Sequence, residues 1–222
     1  MTASRSSFVR EHTVLEPVPM VSDIRLYTAT EIVPIWHATE SWLETQSLGV
    51  PFWCVPWAGG QALARWLLDN PDVVRDRRVL DFGTGSGLVA IAAAKAGAAH
   101  VCAVDVDPVA ATACALNAEE NGVEIEILCK DMIDDDVDAD VVLAGDVWYE
   151  LGPSARFAKW FRSLAAGSAR VFTGDPGRAY VPSGAKELAV YEVPTSIDLE
   201  SSRSRTVRVL EILPVVVVAH HS

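Results

Sequence analysis

The glycine-rich segment DFGTGSG, Asp81 to Gly87, constrains this chain more than any other feature. It stands where a strand-forming run, VLDF (79–82), gives way to an apolar helical stretch over 88–96. Glycines at 83, 85 and 87 let the backbone turn tightly and approach a ligand without Cβ contacts. The helix N-terminus that follows offers unpaired N–H groups and a favourable dipole. The spacing is GxGxG, and Leu88 stands outside the dinucleotide-binding pattern GxGxxG, which fails at its third glycine. An acid at the head of the loop, Asp81, would repel a pyrophosphate. It suits a cofactor that carries positive charge, such as an amino group and a sulfonium.

The texture on either side extends the same theme. VCAVD (101–105) reads as the next strand and 109–121 as the next helix; 124–129 and 141–145 read as strands. A helix over 153–166, a strand over 170–174 and a closing strand pair, 191–195 and 206–212, complete the series. Alternation of this kind predicts a Rossmann-like α/β fold, a doubly wound, mostly parallel sheet with helices on both faces. Upstream, 61–69 reads as a helix after the aromatic, Pro-rich loop PFWCVPWAGG (51–60). Residues 30–47 form an amphipathic pattern, and 1–30 read as an arm without clear periodicity. The domain reading is therefore an N-terminal arm and helix (1–50), a cofactor-binding domain (51–213) and a tail (214–222).

Composition narrows the partners. With 18 basic against 30 acidic residues in 222, the net charge is −12, which argues against nucleic-acid binding through phosphate neutralisation. It leaves room for small molecules and for proteins that present lysines. The four cysteines, Cys54, Cys102, Cys114 and Cys129, have no CxxC spacing and read as reduced, buried thiols. Apart from the terminal pair, His220 and His221, the histidines have no metal-like spacing, so no metal is expected. The longest apolar runs, such as 213–219, fall short of the roughly 18 residues that cross a bilayer. The first residues, MTASRSSFVREH, lack an apolar leader core, so a cytoplasmic protein is expected.

Further acids stand at strand ends. Asp105 lies 18 residues after Gly87 and can accept both hydroxyls of a ribose. Asp131, after the third strand, could meet an adenine amino group, with Met132 and the next backbone N–H as competitors for that role.

Together these residues resemble the class I S-adenosylmethionine-dependent methyltransferases, whose first motif is an acid followed by GxGxG. The resemblance implies a seven-stranded sheet with the last strand antiparallel and S-adenosyl-L-methionine as cofactor. Three further blocks, PFWCVPWAGGQALARWL (51–67), AGDVWYE (144–150) and GDPGRAYVP (174–182), are similar to a narrower group. These are the lysine methyltransferases of the electron transfer flavoprotein β subunit, and the arm over 8–40 is similar too. Asp146 to Tyr149 fit the D-x-x-Y motif of the wider lysine-modifying group. The (N/D)PP(Y/F) motif of enzymes that methylate nucleic-acid amino groups is absent, since Val147 and Trp148 occupy its proline positions.

The resemblance implies roles. Asp146 hydrogen-bonds the incoming amine, Tyr149 orients its nitrogen or lines the channel, and Trp57 of PW-x-GG covers the methionine end of the cofactor. Trp148, Glu150, Asp175 and Arg178 are candidate substrate contacts, with a structural turn and salt bridge the competing account of the last two. The expected partner is a lysine-bearing protein, the flavoprotein β subunit first. Another protein such as a ribosomal one, a small molecule under the arm as a lid, and a non-catalytic cofactor-binding module stay open. An oxidoreductase is disfavoured by Leu88 and Asp81.

Overall fold

The structure, a computed structural model, describes residues 4–29, 51–195 and 202–215. The expected helix over 30–47 and most of the tail, 216–222, lie outside the described residues. Helix α1 (Arg5–His12) leads into an antiparallel hairpin of β1 (Val14–Val18) and β2 (Val21–Thr28). A 3-10 turn (Phe52–Cys54) precedes α2 (Ala58–Asp69). The chain then alternates: β3 (Arg78–Phe82), α3 (Leu88–Lys95), β4 (His100–Asp105), α4 (Pro108–Glu120), β5 (Glu126–Cys129) and β6 (Val141–Gly145). It closes with α5 (Leu151–Ala166), β7 (Arg170–Asp175), β8 (Lys186–Pro194) and β9 (Ser204–Ile212).

These strands form a seven-stranded sheet in the order β5-β4-β3-β6-β7-β9-β8. β3 to β7 run parallel, and β9 inserts antiparallel between β7 and β8. Period-two alternation sorts the side chains to two cores. Val79, Val101, Val141 and Leu143 pack with α2 and α3, whereas Leu80, Phe82, Val104 and Val142 pack with Trp160 and Phe161 of α5. Trp53 and Trp66 are buried in these cores and in the contact with the N-terminal segment.

Several expectations need correction. Residues 4–29 are not irregular: Val18, Val21, Ile24 and Leu26 of the hairpin pack on Leu88, Ile91 and Ala92 of α3. A bulge between Pro17 and Val18 breaks the hairpin's register, which hides the alternation in the sequence. Strand β8 begins five residues before the expected start at 191, because an edge strand of pattern KELAVYEVP is half-exposed and carries no clean apolar face. The thiols are unbridged, but Cys129 is exposed at the end of edge strand β5 and Cys102 is half-buried. Among the described residues, no helix is long and apolar enough to cross a membrane.

Candidate active site

In this strand order β3 is flanked by β4 on one side and β6 on the other. The chain runs outward from β3 through β4 to β5 and then crosses back to β6 on the other side of β3, which opens a crevice at the carboxyl ends of the strands. A cleft of about 950 Å³ occupies it, a size that suits a nucleoside-scale ligand. Asp81 is the penultimate residue of β3, Asp105 ends β4, Lys130 and Asp131 follow β5, Asp146 follows β6, and Arg178 follows β7; all six line the cleft.

The glycine loop is shaped by its neighbours. Gly83 (φ 64°), Gly85 (φ 52°) and Gly87 (φ 84°) all adopt left-handed backbone. At Gly87 a Cβ would also meet Cys114 Sγ of α4 at 2.7 Å, so only glycine lets α3 start this close to α4. Asp81 is 1% exposed, and its Oδ2 accepts bonds from Thr84 Oγ1 (2.6 Å) and the Ala90 N–H (3.1 Å). Burial pushes its pKa up to about 7, against the pull of those two bonds. A ligand cation beside it would restore the ionised form.

Asp105 does two jobs in one place. Its Oδ2 accepts the Gly85 N–H (2.9 Å) and its Oδ1 the Asp107 N–H (3.0 Å), so it ties the glycine loop to the β4–α4 turn. Burial raises its pKa, opposed by these N–H groups. Asp107 in turn caps α4 through the Val109 N–H (2.7 Å), with Pro108 at the first helical position. Asp131 is exposed, accepts the Ile133 N–H (3.0 Å) and stands 3.8 Å from Arg156 Nη2. The Met132 side chain does not line the cleft as expected. It packs in the core with Phe82, Val104 and Trp148, and Ile133 takes the lining position.

On the β6 side, Asp146 is buried at φ 61°, a left-handed conformation that costs a residue with a Cβ about 1 kcal/mol or more. Three sets of contacts hold it there. Its N–H donates to Gly174 O (3.0 Å), its Oδ2 accepts the Gly59 N–H (2.9 Å), and its Oδ1 accepts Arg178 Nε (2.8 Å) with Nη2 at 2.7 Å. Gly59 can approach only because it lacks a side chain: a Cβ would sit 2.4 Å from Gly174 O and 2.9 Å from Asp146 N. The left-handed step then turns Val147 towards the cleft and Trp148 beneath the sheet.

Trp148 therefore departs from the expectation of substrate contact. It is fully buried, and its Nε1 donates to Thr173 Oγ1 (2.8 Å), which donates onward to Ala144 O (2.7 Å). Asp175 departs too: it is fully buried, accepts the Gly177 and Arg178 N–H groups (2.8 and 3.1 Å), and pairs with Arg208 (3.2 Å). It shapes the GDPGR turn that presents Arg178. Glu150 is exposed at the N-cap position of α5, outside the cleft lining.

Tyr149 remains at the mouth, half-exposed, its ring 5.4 Å from that of Phe52. Burial raises its pKa, helped by Glu150, Asp105 and Asp146 and opposed by Arg178, so its hydroxyl stays protonated at neutral pH. Trp57 lines the cleft and is steered by a bond from its Nε1 to Phe52 O (2.8 Å). Phe52, Thr84, Lys130 and Arg156 are lining residues that the sequence alone did not single out. Phe52 and Thr84 lie inside the blocks PFWCVPWAGG and DFGTGSG without a role assigned to them there, whereas Lys130 and Arg156 sit in no motif and reach the cleft through the packing of separate segments.

Residues 63–147 match the sequence profile of the family described as ribosomal protein L11 methyltransferase (PrmA). Over 180 residues the chain is 38% identical to the electron transfer flavoprotein beta subunit lysine methyltransferase of Xenopus laevis, spanning 80% of this chain and 72% of that protein. This chain belongs to the electron transfer flavoprotein beta subunit lysine methyltransferase family. The human member is 37% identical over 171 residues, which is 76% of this chain and 64% of its own length. Among solved structures, magnesium protoporphyrin IX methyltransferase (ChlM) from Synechocystis, with bound SAM, superposes with a TM-score of 0.50 at 18% identity. The match covers 68% of this chain and 77% of that one, and it extends to the fold.

Proposed function

We propose that this methyltransferase uses S-adenosyl-L-methionine to methylate lysine side chains, with the electron transfer flavoprotein β subunit as its substrate. The carrying observation is one cleft that joins two differently built sets of groups, Asp81 and Asp105 on one wall and Asp146 and Tyr149 on the other. Asp81, raised to about 7 by burial, fits the amino group of a cationic cofactor. Asp105 fits a ribose, Trp57 the methionine end, and Asp131 with the backbone beyond it the base.

Held by Asp81, Asp105, Trp57 and Asp131, the cofactor would supply an electrophilic methyl to the amine lone pair, with the C–S electron pair returning to sulfur and the positive charge passing to nitrogen. The chain's own share is alignment and exclusion of water. Asp146 accepts a hydrogen bond from the incoming amine. Tyr149, protonated, orients the nitrogen and narrows the mouth with Phe52. The net charge of −12 supports a lysine-bearing protein rather than nucleic acid as partner. Residues 51–213 form the catalytic unit in this reading, and the location is the cytoplasm.

Incubation of the chain with labelled cofactor and purified electron transfer flavoprotein tests the substrate. Labelled lysines on the β subunit are expected, and no labelled lysine would sink the proposal. The L11-type profile match favours one alternative, a ribosomal protein, which a second arm with ribosomal protein L11 would reveal.

A further inference from the structure

We infer that Arg178 is a positioning residue that cancels the charge of Asp146, so that the bound lysine loses its proton. This inference rests on the proposed lysine methylation. A lysine amine has an ordinary pKa near 10.4, and only its neutral form carries the lone pair that attacks carbon. A lone carboxylate beside the amine orients it but also stabilises the ammonium, which raises that pKa and removes the nucleophile. The geometry resolves this conflict. Arg178 places Nε and Nη2 at 2.8 and 2.7 Å from the same oxygen, Asp146 Oδ1, while Oδ2 accepts the neutral Gly59 N–H. The acid at the reacting amine is thereby half of a neutral pair. It keeps its hydrogen-bonding direction and loses most of its preference for a cation. A nearby guanidinium lowers a lysine's pKa in the same way that another cationic group activates lysine nucleophiles elsewhere.

Among the described residues, the other charged groups that line this part of the cleft do not supply that effect. From α5 and the segment before it, Tyr149 is neutral and Glu150 is exposed outside the cleft. From the β3 and β4 ends, Asp81, Asp105 and Asp107 are acids that favour the ammonium. Lys130, Asp131 and Arg156 line the part of the cleft beyond β5, and Asp131 stands 3.8 Å from Arg156. Asp175, behind Arg178, is paired with Arg208 and orients the turn through the Gly177 and Arg178 N–H groups. Among the described residues that line the β6–β7 side of the cleft, Arg178 is the basic one. The proton leaves the ammonium for solvent before transfer. The neutral amine then takes the methyl group, and its charge returns as the methylated ammonium.

The test is the pH dependence of kcat for methylation of electron transfer flavoprotein, for wild type, Arg178→Gln and Arg178→Lys. In Arg178→Gln the alkaline-rising limb is expected to move up by about one pH unit, with the rate recovering at high pH. Arg178→Lys keeps the charge and is expected to hold the limb near the wild-type position. S-adenosylhomocysteine affinity, measured by calorimetry, is expected to stay within about twofold in both variants, which also certifies folding. A rate loss in Arg178→Gln that is equal at every pH overturns the inference and leaves lysine methylation standing. A limb displaced equally in Arg178→Lys and Arg178→Gln also overturns it. A wild type that methylates no lysine removes the underlying reading along with it.

Discussion

The two walls of the cleft treat their acids in opposite ways. On the β3–β4 wall, Asp81 and Asp105 are held by a hydroxyl and by backbone N–H groups, all neutral donors, and burial raises both pKa values. On the β6–β7 wall, Asp146 and Asp175 are each paired with an arginine, Arg178 and Arg208. The first wall is left short of positive charge and gains most from a cationic ligand. The second arrives already neutral and gains most from a neutral one. A cofactor that carries a permanent charge and an amine that must shed its own are the two occupants this difference serves.

The comparison breaks most visibly at Asp146. Asp146→Asn is expected to lower kcat for lysine methylation by about 10³-fold, the scale of losing one preorganised group at a reacting centre. Its affinity for S-adenosylhomocysteine should change less than twofold, because the acid belongs to the other wall; a large fall in affinity by calorimetry would merge the two walls. Asp175→Ala is expected to cost about 3 kcal/mol in denaturant unfolding, since it leaves Arg208 and two turn N–H groups unpartnered, and to lower kcat less than Asp146→Asn does, because it only loosens the turn that presents Arg178.

Asp81 sharpens the first wall. Asp81→Asn is expected to weaken S-adenosylhomocysteine binding by about 10- to 100-fold, the worth of one charge-assisted bond. In the wild type, affinity should fall as pH drops through about 7, where the carboxyl becomes protonated, and binding near pH 7 should release a proton. The sign for stability is the reverse. A raised native pKa means that the contribution of Asp81 to the ligand-free protein is fully present below its ordinary pKa of 3.8 and lost as pH rises through 7. Cofactor should therefore raise Tm more at pH 8 than at pH 6, which differential scanning calorimetry reads directly. The smallest effect is expected at Trp148→Phe. It loses the bond to Thr173, costs about 1 kcal/mol, and leaves KM for the protein substrate unchanged.

Much of the first wall was legible because it is local. DFGTGSG, the acid at 105 and the strand–helix alternation lie along one continuous stretch, and backbone geometry within a few residues dictates the loop. The β6–β7 wall was legible as a motif but not as a mechanism. D-x-x-Y marked Asp146 and Tyr149, yet Trp148, a candidate substrate contact beside them, is turned into the core by a single left-handed residue. The N-terminal hairpin was missed because a bulge at Pro17 interrupts the alternation that betrays a strand.

By itself, the sequence determined the α/β class, the glycine turn that opens onto a ligand, and the acids at the ends of β3, β4 and β6. Each follows from periodicity, backbone freedom and side-chain chemistry within a short stretch of chain. Only the tertiary structure decided which acids stay open and which are neutralised. Arg178 lies 32 residues from Asp146 and Arg208 lies 33 from Asp175, and no spacing rule links them. The sheet order brings those strand ends together, and an ion pair across a fold depends on distance in space, not along the chain.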